Sequence, residues 1–435
     1  FGGPAGQIAI MHRVLVEERR WLSEERFLHA LNFAMLLPGP EAQQLMTYQG
    51  WLSHGYRGGL VAGWMFVVPG FIAILGMSSM YASYHEVPAV AAALLGLKAA
   101  VLAIVAEAVL RIGRRVLTNG AAVLLALGAF VALFFGQVPF PVVLLVAAAA
   151  GLLAPRFFPP PTPPSARPSE GEEPLLDAEI RAGRLAWIAP RPGRDLGVAI
   201  GLIALWLLPT VVLWVSLGPD SRWTQVATFF SEASLLTFGG AYAVLAWVAQ
   251  QAVEVRQWLT PEQMLDGLGL AESTPGPLIQ VVQFVGFMAT AGEPGGMDPR
   301  LAGSIGSVLT TWVTFWPSFV FVLAGAPYVE RLRRVPALSS ALRAITCAVV
   351  GVVGNLAAWL ALHVLFGTVD ERALGPLRLL VPAPSSIDLF AAVVAVASAV
   401  ALLRLRWPMV VVLIAAVVAG LAWFVVSWLV SWGLS

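Results

Sequence analysis

The chain has 435 residues, of which 58% are hydrophobic and 12% charged, and its mean hydropathy is +0.80. That balance lies outside the range of soluble domains and makes lipid the solvent for most of the chain. A formal net charge of +1 without a basic cluster interleaved with aromatics excludes a nucleic-acid partner, and no Walker loop, Ser/His/Asp order or Cys/His cluster is present for ATP-driven transport, hydrolysis or metal chemistry. No enzyme activity and no cofactor is expected.

The chain opens at Phe1-Gly2-Gly3 without a Met, so a natural N-terminal segment is expected to be missing. Segments 4–20, 24–37 and 41–56 read as half-helices, and 59–84, 88–110, 120–136 and 139–155 as crossings. Residues 156–194 break the apolar pattern with a proline run and then mixed charge, as in a flexible cytoplasmic surface linker. Beyond it, 195–217 crosses. Segments 224–238, 241–252, 261–274 and 278–291 are each too short to span, and 303–328, 336–363, 386–403 and 408–432 cross again. Continuous apolar runs rich in Ala, Leu and Gly predict helices rather than barrel strands. The expected fold is all-α and polytopic, with a first repeat at 1–155, the linker at 156–194 and a second repeat at 195–435.

The two halves repeat in order. Phe1-Gly2-Gly3 matches Phe238-Gly239-Gly240, Glu17-x-Arg19-x-Trp21-Leu22-x-x-Glu25 matches Glu254-x-Arg256-x-Trp258-Leu259-x-x-Glu262, and Pro38-Gly39-Pro40-x-x-Gln43 matches Pro275-Gly276-Pro277-x-x-Gln280. After a short insertion Pro69 pairs with Pro317, Phe71 with Phe319, Pro88 with Pro336 and Val101 with Val349. Internal repeats of this kind are commonest in transporters. Arginine favours cytoplasmic span ends, and Arg111, Arg114 and Arg115 follow span 88–110 whereas Arg331, Arg333 and Arg334 precede its equivalent. The two copies are therefore expected to be inverted, with the Gly-Gly and Pro-Gly-Pro segments as re-entrant hairpins of half-helices.

Such breaks mark a candidate site, because a half-helix N-terminus has unpartnered N–H groups and partial positive charge that suit an anion. Irregular backbone inside a membrane needs a cavity or protein to satisfy it. Gly2, Gly3, Pro4, Gly39, Pro40, Gly239, Gly240 and Gly276 form the breaks, and Gln7, Gln43, Gln44, Ser273, Thr274 and Gln280 supply neutral hydrogen-bonding groups beside them. Lys98, the chain's only lysine, lies mid-span, too deep to reach water by snorkelling. Glu41, Glu232 and Glu272 flank the breaks and are candidates for coupling to a proton or for pairing with Lys98. Glu107, four residues before Arg111, reads as a plain helix-surface pair. Cys347 reads as a packed residue, and the five histidines have no metal-ligand spacing.

Phe1-Gly2-Gly3-Pro4-Ala5-Gly6-Gln7, the Glu17-to-Glu25 segment and Leu36-Leu37-Pro38-Gly39-Pro40-Glu41-Ala42-Gln43-Gln44, with their degenerate second copies, resemble the chromate ion transporter (CHR) family in its two-domain long-chain form. The resemblance covers nearly the whole chain apart from the linker. It implies efflux of the oxyanion chromate, with sulfate as a related anion, across a bacterial inner membrane. Transport would be driven by an ion gradient and would confer resistance. An anion channel or a sulfate uptake transporter of the same architecture is the alternative, and a homodimer is an arrangement the sequence leaves open. In the second copy Ala241 stands for Pro4, Val244 for Gln7 and Leu278 for Glu41, so the halves are not expected to bind anion equally.

Overall fold

The computed structural model describes residues 3–159, 174–238, 240–274, 276–328, 336–375 and 377–433. Phe1, Gly2, Gly239, Pro275, Arg331, Arg333 and Arg334, and part of the linker, lie outside the described residues.

The first half runs through α1 (Gly3–His12), a π-helical turn (Arg13–Glu18), α2 (Glu24–Leu36), α3 (Glu41–Tyr84), α4 (Pro88–Val116), α5 (Gly120–Phe134) and α6 (Phe140–Leu153). After α7 (Leu175–Arg181) and α8 (Pro192–Leu217) come α9 (Arg222–Leu235), α10 (Ala241–Gln250), a second π-helical turn (Gln251–Val255), α11 (Pro261–Glu272) and a 3-10 turn (Leu278–Gln280) leading into α12 (Val281–Ala291). The chain ends with α13 (Pro299–Gly325), α14 (Pro336–Leu365), a hairpin of β1 (Val369–Leu374) and β2 (Leu377–Pro382), α15 (Leu389–Leu403) and α16 (Met409–Gly433).

Among the described residues six helices are long and apolar enough to cross a bilayer, and residues such as Leu124, Leu145, Val215, Leu389 and Ile414 stay exposed, as lipid-facing side chains do. The molecule is an all-α, multi-pass membrane protein. α5, α6 and α15 have 15, 14 and 15 residues, or about 21–23 Å at 1.5 Å per residue, less than the roughly 30 Å hydrocarbon core. Prolines and polar turns trim them below the expected lengths. α3 is continuous to the eye but breaks at His54 (φ −139, ψ 25) and Gly55 (φ 64, ψ −155), which separates its half-helix from its crossing.

The repeated sequence folds into repeated backbone. Two residues beyond each π-helical turn stands a residue with positive φ, Arg20 (49°) and Gln257 (52°). Trp21 N–H donates to the Leu15 carbonyl at 2.8 Å as Trp258 N–H donates to Ala252 at 2.7 Å. Ser23 caps α2 by accepting from Arg26 N–H, and Thr260 caps α11 by accepting from Gln263 N–H.

The halves interlock. α3 packs on α13 and α4 on α14, whereas α15 and α16 of the second half pack on α4, and α5 and α6 of the first half pack on α14. Small residues permit this approach: a Cβ at Gly96 would strike the Ala416 carbonyl, and one at Gly351 the Ala126 carbonyl.

Two segments differ from expectation. Of the linker, residues 174–194 are docked rather than flexible: Asp177 takes Arg26 and the Ser23 N–H (2.7 Å), Leu176 N–H donates to the Trp21 carbonyl (3.0 Å), and Trp187 donates to the Trp51 carbonyl (2.9 Å) over the α3 break. The β-hairpin is an unanticipated addition. Arg378 fastens it, donating from its backbone to the Phe135 carbonyl (2.8 Å) and from its guanidinium to Glu254 (2.6 Å), with Glu371 as a second ion-pair partner at 2.8 Å.

Candidate functional site

The breaks of the two halves meet each other. Gly39 N–H donates to the Thr237 carbonyl (2.8 Å), joining the first Pro-Gly-Pro to the segment before the second Gly-Gly. Gln7 donates its side-chain amide to the Gly276 carbonyl (2.6 Å), joining the helix after the first Gly-Gly to the second Pro-Gly-Pro. Both central glycines are required. Gly39 has φ 130, and a Cβ there would sit 2.6 Å from the Gln44 amide nitrogen; Gly276 has φ 153 and lies against Gly70.

Three helical N-termini open from these breaks: α3 after Pro40, α10 after Gly240 and the turn into α12 after Pro277. None has a side-chain cap, in contrast to the capped outer ends of α2 and α11. Gly3 and Pro4 lie in the first turn of α1. Gln43, Gln44 and Gln280 are buried. Their amides donate to the Phe315 carbonyl (3.4 Å), the Pro38 carbonyl (2.7 Å) and Gln283 Oε1 (2.8 Å). The side-chain oxygens of all three, and of Gln7 and Ser318, have no partner among the described residues. A cluster of orphaned buried polar atoms calls for water or ligand.

Ser273 and Thr274 spend their hydroxyl protons on the Leu270 and Ala271 carbonyls (2.8 Å each), closing the last turn of α11. Lys98 pairs with none of the three glutamates singled out. Its partner is Asp266 at 3.3 Å, which also accepts from Tyr81 Oη at 2.9 Å. Glu272, six residues on along α11, is buried and accepts from Tyr242 Oη at 2.7 Å. Glu41 is half-buried at the start of α3, and Glu232 is exposed on α9. The sequence reading missed Asp266, Tyr81 and Tyr242. A carboxylate inside the apolar run Met264–Leu268 was the available signal for Asp266.

A cavity of about 270 Å³ lies between α4, α10, α11 and the turn joining α15 to α16. Glu107, Arg111, Tyr242, Glu272 and Arg406 line it. Glu107 and Arg111 form the expected pair at 3.6 Å.

The sequence profile described as "Chromate transporter" matches residues 1–152 and 224–421. The chain is 33% identical to a chromate transport protein of Pseudomonas aeruginosa over 357 residues, covering 81% of this chain and 76% of that one. It is 27% identical to a probable chromate transport protein of Synechococcus elongatus (82% and 79% covered). It is 25% identical to a chromate transport protein of Cupriavidus metallidurans (81% and 77% covered). No solved structure matches the chain.

Proposed function

This chain belongs to the chromate transporter family, and from that premise we propose that it is a secondary transporter exporting chromate, with sulfate as a competing cargo, across a bacterial inner membrane. The observation that carries the reading is the reciprocal joining of the two sets of breaks, Gly39 to Thr237 and Gln7 to Gly276. It gathers uncapped helix N-termini from both halves around buried polar side chains. A dianion there would be held by N–H groups and dipole ends, with Lys98 contributing positive potential next to α11.

The inverted arrangement is part of the proposal. Each of the two equivalent π-helical turns is covered by a different appendage, the first by the linker and the second by the β-hairpin. Re-entrant α9–α10 and α11–α12 leave an odd number of crossings between α4 and α14, counting α14 itself. The arginine-rich end of α4 and the linker then lie in the cytoplasm and the hairpin outside.

For coupling, Glu272 is the strongest of the three glutamates: it is buried, hydrogen-bonded by Tyr242 and next to the Pro-Gly-Pro break. Counterflow of labelled chromate and sulfate in proteoliposomes tests the reading. Chromate exchange that sulfate inhibits, accelerated by an imposed pH gradient, is expected. Uptake that only follows the anion's own gradient would make the protein a channel, and no anion movement would remove transport altogether.

A further inference from the structure

Resting on that transport reading, we propose that the cavity at the arginine-rich end of α4 is a second oxyanion site. There Arg111 and Arg406 receive a tetrahedral dianion before it reaches the breaks, and Glu107 gives up Arg111 as it enters.

The chemistry of the lining fits. Arg111 and Arg406 bring guanidinium forks, the side-chain geometry best matched to a polyoxygen anion. Arg406 makes no ion pair among the described residues. It is held with φ 55 in a turn that Trp407 N–H closes onto the Ala401 carbonyl at 3.0 Å, so its position is set by backbone. Glu107 holds Arg111 loosely, at 3.6 Å with both side chains partly exposed. A pair of that kind is weak, and a dianion can compete for its guanidinium. With about 270 Å³, and roughly 30 Å³ per water, the cavity admits an oxyanion with part of its hydration. Glu272, on the wall, is three residues before Pro275 in the sequence, so the cavity borders the half-helix that runs up to the break.

The duplication supplies an internal control. The pairing that matches Pro88 with Pro336 and Val101 with Val349 sets Asn355 where α4 has Glu107, and Trp359 where it has Arg111. The turn joining α5 to α6 repeats the turn joining α15 to α16: Val138 N–H donates to the Ala132 carbonyl at 3.0 Å, and the residue with positive φ is Gln137 (47°). Asn355, Trp359 and Leu133 line a cavity of only about 30 Å³ together with Glu254 and Arg378, which are paired with each other. The helix and the turn of this corner are thus built twice, and at the positions of Glu107, Arg111 and Arg406 the second copy has Asn355, Trp359 and Gln137. Framework geometry alone does not demand Arg111, Glu107 and Arg406.

The test compares wild type with Arg111→Gln, Arg406→Gln and Glu107→Gln in inside-out vesicles, where the α4 arginines face the bath, reading initial chromate uptake against concentration. Each arginine variant should raise half-saturation about tenfold or more, the loss of a charge-assisted contact, and Arg111→Lys should recover part of it. Glu107→Gln should lower half-saturation severalfold, because it removes the resident competitor. Unchanged half-saturation in the arginine variants, or a Glu107→Gln that weakens uptake as Arg111→Gln does, would overturn the site and leave a structural ion pair. Should Arg111→Gln not fold, Glu107→Gln, which keeps the arginine, decides the matter.

If wild type moves no anion, the transport reading fails, and the site is judged separately from tryptophan quenching by chromate in detergent. Trp407 lines the cavity, and saturable quenching weakened by Arg406→Gln but not by Arg300→Gln supports the site. Quenching equal in both variants overturns it.

Discussion

Lys98 and Asp266 form an ion pair inside the helical core, with side chains 16% and 7% exposed, and such a pair is costly to break from one side. Lys98→Met should destabilise the protein by about 3–5 kcal/mol, because it strands a buried carboxylate. Lys98→Met/Asp266→Asn should regain most of that stability without regaining transport, if the charge serves the anion. Thermal unfolding in detergent, set beside counterflow, separates the two effects; equal recovery of both would reduce Lys98 to a structural role. Gly39→Ala should lower the unfolding temperature and halt transport together, since φ 130 suits only glycine and the added methyl meets Gln44 and Ser318. A control at Gly128, where a Cβ would meet nothing within 4 Å, should be silent in both measurements. Lys98 was legible in sequence because a lone lysine deep in an apolar span has few explanations. Its partner was not, because Asp266 comes within reach only where α11 crosses α4 with Gly269 against Leu97, a proximity no linear pattern contains.

The half-helices were readable from length and punctuation: runs too short to span, separated by Gly-Gly or Pro-Gly-Pro, have few other places to go. The π-helical turns were not, since an extra residue within a turn leaves no compositional mark. What did mark them was the repeat, in which Glu17 to Glu25 and Glu254 to Glu262 keep one pattern and fold into one geometry. The hairpin escaped notice because β2, Leu377–Pro382, is a short apolar run of the kind that also ends a helix. Its docking rests on Arg378. Burial works against this guanidinium, but the carboxylates of Glu254 and Glu371 outweigh it and hold the group above its ordinary pKa. Arg378→Ala should therefore free the hairpin without unfolding the helices: amide exchange at 369–382 should rise by tenfold or more, while α14 stays protected. If exchange there does not change, the strand pairing alone holds the hairpin. The linker shows the opposite outcome. Its proline run and mixed charge read as a flexible surface linker, yet Asp177 and Trp187 find specific partners on α2 and α3, and those partners could not be identified before the fold was known.

At the scale of the molecule, the cross-packing of α15 and α16 on α4, and of α5 and α6 on α14, makes each half incomplete alone. Dividing the chain within 160–173 and expressing the pieces together should restore chromate transport, whereas either piece alone should be degraded or fail to transport. Activity from a single half would contradict the interlock. The same arrangement sets a timetable for biogenesis. α4 enters the bilayer when neither Asp266 nor α16 has been synthesised, so its lysine stays without its carboxylate until α11 is made, and the bare surface around Gly96 stays uncovered longer still, until α16 follows.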